Sequence, residues 1–229
     1  MADTRTGNSI KNSGVTIFGR LATLIMEFVL RTVLIKTLGI EYGGISSLFT
    51  DILQVLSLME LGLGSAIIFA LYKPLAEKNY PKINALMQFY RTTYNIIAAG
   101  VFILGLCCVP FLGSIVKDVP DIKEDIRLIF MLYVAASSCS YLVVYKETLI
   151  RASQQSRVAV RIEMAVQITF MGLESIALFI FHEYLIYLVL RIITYLVRNL
   201  LISVEVRKRF PEVNFRGKER LEKQDRQKL

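Results

Sequence analysis

The sequence predicts an all-α, polytopic membrane protein, and three observations carry that expectation. Of its 229 residues 54% are hydrophobic, with no Trp, above the roughly 45–50% apolar share of a soluble domain. Mean hydropathy is +0.51. The apolar residues gather in six runs, at 15–38, 44–71, 94–116, 126–145, 158–181 and 184–204, each long enough for lipid and without the alternation of a strand. Inside lipid every backbone N–H and C=O needs a partner within the chain, so runs of this length are helices.

The chain divides into a polar tail at 1–14, a six-helix unit at 15–204 and a basic tail at 205–229. The apolar run behind the first tail is too long and too interrupted by charge for a signal-peptide core. It contains "GRLATLIMEFVLRT", in which Arg20, Glu27 and Arg31 stand among residues as apolar as lipid. A charge near the centre of a spanning helix costs roughly 2.5–3.5 kcal/mol on insertion scales. At about 100° per residue all three fall within about 20° of one line, so they form one stripe. Glu27 precedes Arg31 by four, the favourable order for an ion pair within a helix.

The second run carries Asp51 and Glu60, nine residues apart and on opposite sides, and then "MELGLGSAIIFALY". There Gly62, Ala66 and Ala70 form a small-residue ridge suited to close helix approach in lipid. The segment 72–91 mixes Tyr, Pro and Lys and predicts an interfacial elbow before the third run. Cys107, Cys108 and Cys139 lie inside apolar runs and read as small hydrophobes, with no disulfide and no metal site. The fifth run places Glu163, Gln167 and Glu174 on one face. His182, in the "FHEY" turn, has no Cys or His neighbour that would make it a ligand. The sixth run holds Tyr184, Tyr187, Arg191, Thr194, Arg198 and Glu205 at helical spacing, a second polar stripe.

The net charge of +8 follows topology rather than nucleic acid. Lys73, Lys78 and Lys82 follow the second run, Lys146, Arg151 and Arg157 the fourth, and Arg207, Lys208 and Arg209 the sixth. The loop after the third run holds Asp118, Asp121, Glu124 and Asp125 against Lys117 and Lys123. The positive-inside rule then puts both termini in the cytoplasm. From Arg207 onward nine basic residues meet four acidic ones, which predicts a solvated tail or linker with the bilayer surface as its partner.

Polar stripes on apolar helices face a bundle interior, because lipid would cost most of the insertion penalty. The stripes of the first and sixth runs hold Arg20, Arg31, Arg191 and Arg198 against Glu27 and Glu205. The expectation is a hydrated, cationic cavity for an anionic substrate, with arginine forks matched to phosphate. Asp51, Glu60 and Glu174 are the candidate sites for a coupling ion. The sequence has no Walker A motif, no Gly-rich phosphate loop, no metal-ligand spacing and no nucleophile elbow, so neither an enzyme nor a cofactor is expected.

Residues 31–97, through "LGIEYGG", "ELGLGSA" and "LYKPLAEKN", resemble the bacterial flippases of lipid-linked oligosaccharides, of the O-antigen and teichoic-acid type, in the multidrug/oligosaccharidyl-lipid/polysaccharide exporter superfamily. "RFPEVNFRGKERLEKQDRQKL" resembles the family's linker into a seventh span. The resemblance implies one six-helix lobe of a two-lobe, MATE-like transporter in the bacterial cytoplasmic membrane, moving an undecaprenyl-pyrophosphate-linked glycan by alternating access. It implies a pyrophosphate role for Arg20 and Arg31, extended to Arg191 and Arg198. The family's transporters have twelve or more spans, so the sequence reads as an N-terminal half that needs a second lobe. Two alternatives are a multidrug or metabolite/cation antiporter of the same superfamily, leaning on the carboxylates, and a non-transporting module that docks other proteins through its basic tail.

Overall fold

A computed structural model describes residues 5–60, 62–115, 122–215 and 217, and the chain is helical almost throughout. Asp118 and Asp121 of the acidic loop, and the final stretch 218–229, lie outside the described residues. The order is α1 (Arg5–Leu38), α2 (Ile40–Leu56), a 3-10 turn (Ser57–Glu60), α3 (Leu63–Ala76), α4 (Tyr80–Cys108), a second 3-10 turn (Val109–Phe111), α5 (Leu112–Ile115), α6 (Ile126–Tyr141), α7 (Val144–Ala152), α8 (Ser156–Phe181) and α9 (Tyr184–Arg209).

Among the described residues, four helical stretches are long and apolar enough to cross a membrane: Tyr80–Ser114, Ile126–Ala152, Ser156–Phe181 and Tyr184–Arg209. The coarse prediction of a multi-pass, all-helical membrane protein stands on these. The first and second runs do not join them. α1 spans 34 residues, about 51 Å at 1.5 Å per residue, and carries Arg20, Glu27, Arg31 and Lys36 along its length. It starts at Arg5, inside the tail expected to be polar and separate.

The second run is not one helix. α2 stops after 17 residues, the 3-10 turn follows, and Gly62 at φ 87 opens α3, which has 14. A left-handed residue cannot continue a right-handed helix. The expected elbow is also absent. α3 runs to Ala76, and α4 starts four residues later, capped where the Asn79 side chain accepts the Lys82 N–H at 3.1 Å, with Pro81 in the first turn. Ile83, Ala85, Leu86 and Met87, expected to skim a surface, are buried.

In sequence order the helices fold back and forth, yet α1 packs most extensively on α8, and α9 sits between α6 and α8. Two apolar cores fill opposite ends. One gathers Ile67, Leu71, Leu86, Tyr94, Leu149 and Val206 between α3, α4, α7 and the end of α9. The other gathers Leu34, Phe49, Phe130, Tyr133, Tyr184 and Leu188 between α1, α2, α6 and the start of α9. At that second end Lys123 Nζ donates to Glu183 Oε1 at 2.6 Å, and this carboxylate raises the lysine pKa.

The start of the basic tail is exposed in part but docked on the bundle. Asn84 Oδ1 accepts the Asn214 N–H at 2.8 Å, Gln88 Nε2 donates to the Asn214 carbonyl at 3.0 Å, and Arg91 Nη1 donates to the Phe215 carbonyl at 3.2 Å. Val213 is buried, and the Phe215 ring meets Tyr145 edge-on at 5.8 Å. Residues 210–215 therefore form a strap across α4 and α7.

Candidate functional site: a charged cavity among four helices

α1, α2, α8 and α9 enclose a cavity of about 530 Å3. Close approach of these helices is built into the residues beside it. A Cβ on Gly43 would stand 2.8 Å from the Ile35 side chain, and one on Gly19 only 2.5 Å from Met164 Sδ, so glycine lets α1 meet both α2 and α8. Beside Gly19, the buried Thr23 donates to Gln167 Oε1 at 3.3 Å.

The α2 wall is a ladder of hydroxyls. Ser47 Oγ donates to the Gly43 carbonyl at 3.0 Å, and Thr50 Oγ1 to the Ser46 carbonyl at 2.7 Å, which satisfies these donors within the helix and turns their lone pairs toward other groups. Arg31 Nη2 reaches across and donates to Ser47 Oγ at 2.9 Å. The expected Glu27–Arg31 ion pair is not formed among the described residues, although both side chains line the cavity.

On α9, Arg191 Nη1 donates to the Tyr187 hydroxyl at 2.8 Å and its guanidinium lies 5.6 Å from the Tyr133 ring centroid, a cation–π arrangement. Thr194 Oγ1 donates to Glu174 Oε1 at 3.4 Å, and Glu174 is only 4% exposed. Asp51 completes the charged lining. A second hollow of about 240 Å3 shares Thr50, Arg191 and Tyr195 with the first and extends toward Ser137 and Ser140 of α6. Toward the end that carries Lys123 and Glu183, buried tyrosines close the space: Ser46 Oγ lies 2.7 Å from the Tyr133 hydroxyl, itself 3.0 Å from that of Tyr184.

The structure brings together Glu27, Arg31, Asp51, Glu174 and Arg191. Arg20 is exposed on α1 and Glu60 lies in the 3-10 turn, accepting from the Tyr94 hydroxyl at 2.9 Å; neither lines the cavity. Arg198 is elsewhere as well. Its guanidinium donates to Glu147 Oε2, while Arg151 Nη2 holds the other oxygen of Glu147 at 2.5 Å, and Glu163 stands 3.8 Å from both arginines. This four-charge network between α7, α8 and α9 also takes Glu163 off the stripe expected to line the cavity.

The charge balance reverses accordingly. The lining carries two arginines and three carboxylates, where an excess of arginine was expected. Ser46, Ser47, Thr50 and Tyr195 also belong to the site; the hydroxyl spacing in "GGISSLFTD" was the available signal. Glu147 gave none, because the sequence reads its surroundings as a basic loop where the structure has α7. In comparison with known proteins, the chain matches no family model, no curated protein and no solved structure.

Proposed function

We propose that the chain is one lobe of a transporter that moves an undecaprenyl-pyrophosphate-linked oligosaccharide across the bacterial cytoplasmic membrane, with its basic end and both termini in the cytoplasm. In this reading the spans are α1, α2 with α3, α4, α6 with α7, α8 and α9. A second six-helix lobe completes the cavity, and alternating access moves the substrate about it. The resemblance of residues 31–97 to that flippase family supplies the substrate class.

The observation that carries the reading is the pairing of Arg31 and Arg191 in one cavity of about 530 Å3, inside helices whose outward residues, such as Phe28, Phe69, Ile176 and Phe179, are apolar and exposed. The volume is that of a ligand site, not of a packing defect. Two guanidinium forks on opposite walls suit a diphosphate, each taking one phosphoryl group through paired N–H donors. Glu27, Asp51 and Glu174 then serve the coupling ion, whose binding offsets their charge while the substrate occupies the arginines.

The test is export of the glycan by the complete transporter carrying Arg31→Gln and Arg191→Gln. Export falls at least tenfold, the loss expected when a charge-assisted bidentate contact worth roughly 1.5–3 kcal/mol is removed, while the amount of folded protein is unchanged. Normal export overturns the assignment. The three carboxylates favour a second reading, a cation-coupled antiporter for a smaller solute. If Asp51→Asn with Glu174→Gln stops ion-coupled uptake in vesicles while the arginine variants retain it, that reading replaces the first.

A further inference from the structure

The side hollow of about 240 Å3 between α2, α6 and α9 differs in chemistry from the charged cavity it joins. Two hydroxyls in its lining spend their protons on their own helices: Thr50 Oγ1 donates to the Ser46 carbonyl at 2.7 Å, and Ser140 Oγ to the Ser137 carbonyl at 2.6 Å. Each oxygen keeps its lone pairs, so both residues offer the hollow acceptors. The Ser137 and Tyr195 hydroxyls and the Gln54 amide add groups able to donate as well as accept. Leu53 and Tyr133 supply an apolar side. At the junction stands Arg191, which lines both spaces; its bond to the Tyr187 hydroxyl at 2.8 Å takes one of the five N–H groups of a guanidinium.

This lining selects a ligand class. A phosphate accepts hydrogen bonds and donates none at full charge, so acceptor oxygens do not hold it, and a metal cation meets the positive charge of Arg191. A neutral ligand with several hydroxyls matches both kinds of group, because each hydroxyl donates one hydrogen bond and accepts others. The C–H face of a pyranose ring then meets the apolar side, the usual division of labour in a pocket where a few polar groups fix orientation. We infer that the side hollow is a sugar subsite, holding the sugar ring bonded to a phosphoryl group that sits at Arg191. The inference deepens the transport reading and rests on it for the position of that phosphoryl group.

The test uses the full chain in phosphatidylcholine nanodiscs, with three soluble probes read by saturation-transfer NMR: glucose 1-phosphate, methyl phosphate and methyl glucoside. The expected result is that glucose 1-phosphate binds roughly tenfold more tightly than methyl phosphate, with saturation on its ring protons. Ser137→Ala with Ser140→Ala, both outside the lining of the central cavity, weakens glucose 1-phosphate about fivefold, the loss of two neutral hydrogen bonds, and leaves methyl phosphate unchanged. Ser65→Ala removes a hydroxyl bonded in the same way to its own helix, at 2.8 Å from the Gly62 carbonyl but away from the hollow, and changes neither affinity. An unchanged melting temperature shows that the variants fold. Equal binding of the two phosphates overturns the sugar subsite and leaves the arginine site standing. Binding of methyl glucoside that depends on the two serines, with neither phosphate bound, keeps the subsite and removes the diphosphate reading. Binding of none of the three, or equal weakening by Ser65→Ala, overturns the inference.

Discussion

Gly19 and Gly62 illustrate how differently one residue type acts at two places in the same bundle. At Gly19 the missing Cβ is what admits Met164, at 2.5 Å from where that atom would be. Gly19→Leu overpacks the α1–α8 contact and costs about 1–3 kcal/mol, read as a lowered melting temperature in detergent. Gly172 on α8 meets nothing within 4 Å. There Gly172→Ala stabilises by up to about 1 kcal/mol through helix propensity alone, with a higher melting temperature as the readout. The sequence singled out Gly62 for close packing and passed over Gly19, because a small-residue spacing is visible in one chain while the partner side chain, here 145 positions away, is not. The same holds for Arg198. Its stripe was legible, but its partner Glu147 stands on α7, in a stretch the sequence reads as a basic loop. Side chains of the pair are 15% and 10% exposed, so Arg198→Met leaves the largely buried Glu147 carboxylate with Arg151 alone and costs about 1–3 kcal/mol. Adding Glu147→Gln recovers most of that loss in a double-mutant cycle, and a purely additive cycle would refute the coupling.

At the scale of the element, helices with uniform apolar composition were read correctly, and those with a local break were not. α8 and α9 cover the fifth and sixth runs closely because each meets a clear stop: His182 takes a left-handed φ of 54 at the end of α8, and α9 opens two residues later. The second run hid its break, since hydropathy does not register backbone handedness. Gly62→Ala places a Cβ in open space but at φ 87, a left-handed penalty of roughly 1–2 kcal/mol. The expected outcome is faster amide exchange in the first turn of α3, with the remainder of α4 unaffected. The strap was missed for a related reason. Its composition is that of a solvated tail, and what holds it is hydrogen bonding between its backbone and Asn84, Gln88 and Arg91 together with Phe210, Val213 and Phe215 against the core, three apolar residues too few to stand out among the charges.

For the whole molecule, the sequence implied a polar interior inside an apolar shell, and it overstated the positive charge because two of four arginines belong elsewhere. The cavity makes a direct prediction about water. In a variant with Cys107, Cys108 and Cys139 replaced, Ser47→Cys reacts with a membrane-impermeant maleimide, whereas Phe179→Cys on the apolar outside does not; the reverse pattern would mean that the hollow is dry and the shell is not. The contact between α1 and α8 has a consequence for how the protein is made. Thr23 and Gln167 are 144 positions apart, so at synthesis rates of about 5–20 residues per second α1 waits roughly 7–30 s for its main neighbour. During that interval Arg31 has only Ser47 of α2 to meet and Glu27 lacks the α8 and α9 walls of the cavity, and a helix with such charges is a poor guest in lipid. α1 is then among the last of these helices to settle, held in the meantime by the insertion machinery or by water at the membrane surface.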